Sequence, residues 1–210
     1  SVLGLLPETA DATGTVLVSG TDVVRLSPAQ MRRLRGEDVS MIFQEPSSAL
    51  NPVFPIWWQI GEGLRAHRGR ISRKEIRAEA VRALESVGIP DAAERIDRYP
   101  HEFSGGQKQR IMIAMALALG AELIVADEPT TALDVTVQAE ILDLLRDVRD
   151  RFGTSIILIT HNMGVVADLA DSVAVMHHGR VVERATATEL FANPREEYTC
   201  LLYTSPSPRD

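Results

Sequence analysis

The sequence predicts an α/β fold: a mostly parallel sheet covered by helices on both faces. Two observations predict it. Short apolar runs alternate with longer segments of helical period, the pattern of strands joined by crossover helices. Three of those runs, "VSMIFQ" (39–44), "ELIVAD" (122–127) and "SIILIT" (155–160), are apolar through their centres. Strands buried on both faces read that way.

The elements follow in order. Residues 14–26, "GTVLVSGTDVVRL", read as short strands broken at Gly20. "SPAQMRRLRG" (27–36) is a short helix, with Ser27 as cap, Pro28 at the first position and Gly36 past the end. After the strand at 39–44, "EPSSALNPVFP" carries three prolines and leaves the sheet as a loop. Residues 56–66 and 72–87 are helical, and the second stops at Gly88-Ile89-Pro90. "SGGQKQRIMIAMALALG" (104–120) is a helix with Ser104 near its start. After the strand at 122–127, residues 135–153 form an amphipathic helix. It carries Val137, Ile141, Leu144, Leu145 and Val148 on one face and Gly153 as its stop. The strand at 155–160 ends at His161, and "SVAVMHHGRVVE" (172–183) is a hairpin turning at His178-Gly179.

Composition narrows the function. The 210 residues are 45% hydrophobic, enough to bury a core. Against 22 basic residues stand 29 acidic ones, a net charge of −7, which argues against a nucleic-acid partner. Cys200 is the only cysteine, so no intrachain disulfide is possible and a reducing compartment fits. The longest apolar run, Ile111 to Leu119, is too short to span a bilayer, and no signal peptide is read at the start.

In open α/β sheets, ligands bind beyond the carboxyl ends of the strands. That rule selects Gln44, Asp127 with Glu128, and His161, each at the end of an expected strand. An Asp at such an end can hold a Mg2+ shell, and an adjacent Glu can polarise a water. Pro129 is expected to hold Glu128 extended. The competing reading is an acidic pair that caps a helix. "SGGQ" (104–107) opens a helix with two glycines, which lets an anion approach free N–H groups; an ordinary glycine-containing cap reads the same. His161 could meet a developing phosphate charge or be structural, and Gln44 could complete a Mg2+ shell or merely edge a loop. Trp57, Trp58 and Phe54 form an aromatic cluster, read either as a docking surface or as packing under the loop. The His177-His178 pair is discounted as a metal site, because neighbours on a strand face opposite ways.

These segments, in this order, resemble the ATP-binding subunits of ABC transporters. "FSGGQKQR" is similar to the signature motif, with Phe103 where Leu is commoner; "LIVADEP" resembles Walker B with the catalytic glutamate. "TALD" with Asp134 resembles the D-loop, His161 the switch histidine and Gln44 the Q-loop. "MIFQEPSSALNP", "RYPHEFSGGQKQRIMIAMALA", "ADEPTTALDVTVQAEIL" and "THNMGVVADLAD" are similar to oligopeptide and dipeptide importer ATPases, and nickel and glutathione importer subunits share these stretches.

The resemblance implies a P-loop NTPase-like core with an inserted helical subdomain. Residues 1–43 would be a remnant of the ATP-binding core and its β-subdomain, 44–113 the helical subdomain, 114–199 the rest of the core. It implies ATP and Mg2+ sandwiched between two such subunits, identical or not. Ser104, Gly105, Gly106 and Gln107 would contact the γ-phosphate of the nucleotide on the opposite subunit. Asp127 would bind Mg2+ through its shell, Glu128 would be the general base and His161 would stabilise the transferring phosphoryl. Gln44 would sense the γ-phosphate, and Asp134 would lie by the nucleotide. Residues 45–60, with Trp57 and Trp58, would face transmembrane permease subunits at the cytoplasmic side of the membrane, served by a solute-binding protein. A soluble ABC ATPase of DNA repair or translation, and a non-catalytic docking remnant, are the alternatives.

Two departures stand out. None of the fourteen glycines is followed by lysine, so no G-x-x-x-x-G-K-[ST] is present. The expected reading is a chain that starts just after its P-loop and is by itself inactive. "CLLYTSPSPRD" (200–210) departs from the importer pattern and is expected to be non-native or disordered.

Overall fold

A computed structural model describes residues 2–7, 9–131 and 133–204. The chain divides after Ile157 into two compact units.

The first unit begins with a strand pair, β1 (Leu17–Val18) and β2 (Thr21–Asp22), turning at Gly20. Helix α1 (Pro28–Glu37) follows, capped as its sequence predicts. Ser27 Oγ accepts from Gln30 N–H, the Gln30 side chain returns the bond, and Pro28 sits in the first turn. The helical backbone breaks at Arg35 and Gly36 (φ 96°). Strand β3 (Val39–Ile42) comes next, shorter than the expected 39–44. The expected loop at 45–55 contains a single helical turn, α2 (Pro46–Ala49). Here proline starts a helix rather than only breaking the sheet, since its missing N–H costs nothing in a first turn.

Helices α3 (Ile56–Arg68), α4 (Arg73–Ser86) and the short α5 (Ala92–Arg95) lead to α6 (Gly105–Ala118). Helices α3, α4 and α6 pack on one another through Ile60, Leu64, Ile76, Leu84 and Ile111, all buried. Arg77 grips Asp97 through two bonds of 2.6 Å, which holds the Asp97 carboxyl below its usual range. Strand β4 (Leu123–Asp127), helix α7 (Val135–Phe152) and strand β5 (Ser155–Ile159) complete the order. The sheet runs β3-β4-β5, and β3 and β4 are parallel as expected. The apolar face read for α7 is buried at Ile141, Leu144, Leu145 and Val148.

The expected boundary at 113/114 falls inside α6. That helix serves both layers, for its start meets α7 at Gly106 and its end accepts a bond from β3, Ser40 Oγ to Ala116 O at 3.4 Å.

The second unit holds α8 (Met163–Leu169), the hairpin β6 (Ser172–His177) and β7 (Arg180–Thr186), α9 (Ala187–Ala192) and α10 (Glu197–Thr204). The hairpin turns at His178-Gly179, both at positive φ (48° and 75°), the geometry that a two-residue hairpin loop requires. Glu183 of β7 is buried, and its carboxylate accepts the N–H groups of Arg195 (2.9 Å) and Glu196 (3.2 Å), just before α10. The boundary expected at residue 200 falls inside α10, which is helical through residue 204; residues 205–210 lie outside the described residues.

Candidate functional site

The register of the parallel pair builds the centre of the site. Val39 pairs with Leu123 and Ile42 with Ala126. Two residues further along each strand, Gln44 therefore arrives opposite Glu128. Gln44 Nε2 donates to Glu128 Oε2 at 3.0 Å. The strands behind them are anchored by Ile42, Ile124 and Ala126, each 0% exposed. Asp127, the last residue of β4, is half-buried at the same edge. The sequence rule that selected these residues thus brings Gln44, Asp127 and Glu128 together.

Glu128 is not extended. Its φ is 44°, in the left-handed region that side-chain-bearing residues seldom occupy. The expectation drawn from Pro129 fails because a tight turn overrides it: Thr131 N–H donates to Glu128 O at 3.1 Å. Thr131 Oγ1 also donates to Glu128 Oε2 at 2.8 Å. Strain of this kind persists where surrounding bonds impose it.

The segment 104–107 is a capped helix start. Ser104 Oγ accepts from Gln107 N–H (3.3 Å) and Gln107 Oε1 accepts from Ser104 N–H (3.1 Å). Its two glycines differ. A Cβ on Gly106 would meet Val137 Cγ1 at 2.5 Å, so glycine is needed for α6 to approach α7. A Cβ on Gly105 would find nothing nearer than Leu133 Cδ2 at 3.9 Å. Gly105 is exposed, and the chain's own packing does not require glycine there. Its N–H, at the first position of a fourteen-residue helix, lies at the positive end of the dipole.

Asp134 is an exposed N-cap, its carboxylate accepting from Val137 N–H at 3.0 Å. His161 belongs to the second unit, exposed, between β5 and the Asn162 cap of α8. Of the two readings of the aromatic cluster, Trp57 takes that of packing, while Trp58 stays half-buried. Trp57 is 8% exposed, packed under the guanidinium of Arg73 (4.9 Å) and of Arg77 (5.5 Å), and Trp58 stacks on Phe54 at 3.9 Å. Around this loop the outward apolar groups are instead Phe43 and Val53, 45% and 69% exposed. His177 and His178 do not face apart. Their rings are 4.0 Å from each other because His178 leaves the strand in the turn, and His177 stacks on Tyr198.

Two contacts escaped the sequence reading, that of Thr131, although it opens the quoted "TALD", and that of Arg95. Thr131 could have been suspected from a hydroxyl three residues after a glutamate, the spacing of a side chain reaching back across a turn. Arg95 donates to Gln107 Oε1 at 3.2 Å and lies 4.8 Å over the Phe103 ring, a contact with no local signal.

The donors at the strand edge suit a hard cation. Asp127 offers carboxylate oxygens, and Gln44, which uses its amide N–H toward Glu128, keeps a carbonyl oxygen as a potential donor. Two such groups match Mg2+, which retains waters and takes substrate phosphates for the rest of its shell. Among the described residues, no three His, Cys, Asp or Glu side chains form a metal-binding group.

An α/β sheet with oxygen donors at the strand ends and a capped glycine helix start defines a class, that of nucleotide-phosphate domains. The family model described as ABC transporter matches residues 2–131, and the chain belongs to that family. The dipeptide transport ATP-binding protein DppD of Bacillus subtilis (strain 168) is 49% identical over 201 residues, 95% of this chain and 60% of that protein. The probable peptide ABC transporter ATP-binding protein y4tR of Sinorhizobium fredii is 49% identical over 207 residues, 98% of this chain and 62% of its own length. The chain therefore spans about 60% of the length of these two relatives. Among solved structures, cbiO1 from Clostridium perfringens, part of the ABC transporter complex cbiONQ, superposes with a TM-score of 0.76 at 28% identity, covering 97% of this chain and 75% of that one. The ATP-binding cassette MJ0796, in a dimeric post-hydrolysis state bound to ADP and Pi, gives 0.72 at 25% identity over 83% and 74%. The α/β fold read from the sequence is that of these cassettes.

Proposed function

We propose that this chain belongs to the ATP-binding and ATP-hydrolysing subunit of an ABC importer for peptides or similar small solutes. The observation that carries the reading is the Gln44–Glu128 hydrogen bond at the carboxyl edge of a parallel strand pair. It supports one site made from two separate motifs. In this reading Asp127 and Gln44 supply oxygens to Mg2+, which when bound offsets charge on the nucleotide phosphates. Glu128 accepts the proton of the attacking water. His161 faces the transferring phosphoryl. Ser104, Gly105, Gly106 and Gln107 meet the γ-phosphate held by a second subunit, and Asp134 lies at that junction. The unexplained glycine at 105 supports this, since an outside group that comes close to the backbone would exclude a methyl there.

Permease subunits are the proposed membrane partner, through residues 45–60 with Phe43 and Val53 as the outward apolar groups. A solute-binding protein would act upstream of them. The proposed location is the cytoplasmic face of the membrane; among the described residues, no helix is long and apolar enough to cross one.

The test is ATP turnover by the full product of the source gene, with and without Glu128→Gln. A fall of about 100-fold or more is expected from removal of a general base; equal rates would sink the assignment. The 210-residue chain alone, having no G-x-x-x-x-G-K-[ST], is expected to show no turnover.

A further inference from the structure

We propose that Thr131 is a positioning residue for the Glu128 carboxylate, an inference that rests on reading Glu128 as the general base. Two donors meet on one oxygen. Thr131 Oγ1 reaches Glu128 Oε2 at 2.8 Å, and Gln44 Nε2 reaches the same atom at 3.0 Å. They come from different elements, the turn after β4 and the end of β3. A glutamate ends in a broad, soft torsion, so a single tether leaves its carboxylate free to swing. Two tethers from separate directions restrict it to one orientation.

Thr131 is itself preset. Its N–H closes the turn onto Glu128 O at 3.1 Å, Pro129 between them has a fixed φ, and Thr130 beside it is buried. The left-handed backbone of Glu128 (φ 44°) belongs to the same device, because the turn aims the side chain back at Thr131. A base acts only within hydrogen-bond reach and in line with its water, so loss of aim lowers the chemical step more than binding.

The activity-free experiment is carboxyl footprinting of this chain with a water-soluble carbodiimide and glycine ethyl ester, read by mass spectrometry. Thr131→Val keeps the shape and removes the bond. It should raise labelling of Glu128 about threefold, as expected for loss of one charge-assisted bond, while Thr131→Ser should restore the wild-type rate. Labelling of Asp97, gripped by Arg77 within the same unit, should stay constant, reporting an intact fold there. In the full gene product, Thr131→Val should lower kcat about tenfold at unchanged KM for ATP, with recovery in Thr131→Ser. Unchanged labelling together with unchanged kcat in Thr131→Val overturns the proposal, as does a loss that serine fails to rescue. If Glu128→Gln leaves turnover intact, the general-base reading falls and the footprinting still decides the tether. If Glu128→Gln abolishes turnover while Thr131→Val changes neither readout, the tether alone falls.

Discussion

At the scale of single residues, neighbours of one type take different roles. Gly105 and Gly106 are adjacent, yet only Gly106 is required by the chain's own packing, where a methyl would collide with Val137. Gly106→Ala should lower the unfolding free energy by about 1–3 kcal/mol, as overpacking does. Gly105→Ala should leave it unchanged or raise it by up to about 0.5 kcal/mol, since alanine suits a helix better. Urea unfolding of both variants checks the contrast; equal losses would mean that Gly105 has an internal role after all. In the full gene product, Gly105→Ala should nevertheless impair ATP turnover, because its constraint is read as external. The sequence marked this segment but could not divide the pair, which depends on Val137 thirty-one residues away. Glu128 shows the same limit. Its place at a strand end was legible, but its left-handed φ was not, because the turn that imposes it is closed by Thr131.

At the scale of elements, caps and stops were the most legible features. Ser27 and Ser104, both picked out at helix starts, cap the helices that follow with a reciprocal bond from the third helical residue, and Ser72, placed inside its helix by the sequence reading, does the same. That pattern is local in sequence and needs no tertiary partner. The helices left unread, α2, α5, α8, α9 and α10, are eight residues or shorter. Such helices are held by tertiary contacts rather than by propensity. For α10 that contact is Glu183, whose carboxylate takes two N–H groups at the approach to the helix. Glu183→Ala removes the acceptor of both part-buried N–H groups, at a cost of about 1 kcal/mol. Hydrogen exchange across residues 195–204 should accelerate in Glu183→Ala and stay near wild type in Glu183→Gln, which keeps an acceptor. Equal protection in both variants would show that α10 is held by other contacts.

At the scale of the whole molecule, one half of the proposed chemistry is turned outward. The exposed helix start at Ser104 and Gly105 is read as meeting a nucleotide carried by another subunit. The full gene product bearing Glu128→Gln should therefore double in mass on adding ATP and Mg2+, by light scattering after size exclusion, and Gly105→Ala should weaken that shift. A mass unaffected by nucleotide would contradict the paired arrangement. The sequence by itself determined the α/β class, the caps and the strand ends that carry Gln44, Asp127 and Glu128, because apolar runs, glycines and serines act over a few residues. Only the tertiary structure decided that Gln44 and Thr131 share one oxygen of Glu128, that Trp57 is packed rather than presented, and that Gly106 but not Gly105 is sterically required. Those outcomes depend on the register of β3 against β4 and on the approach of α6 to α7, where groups distant in the chain come within bonding distance.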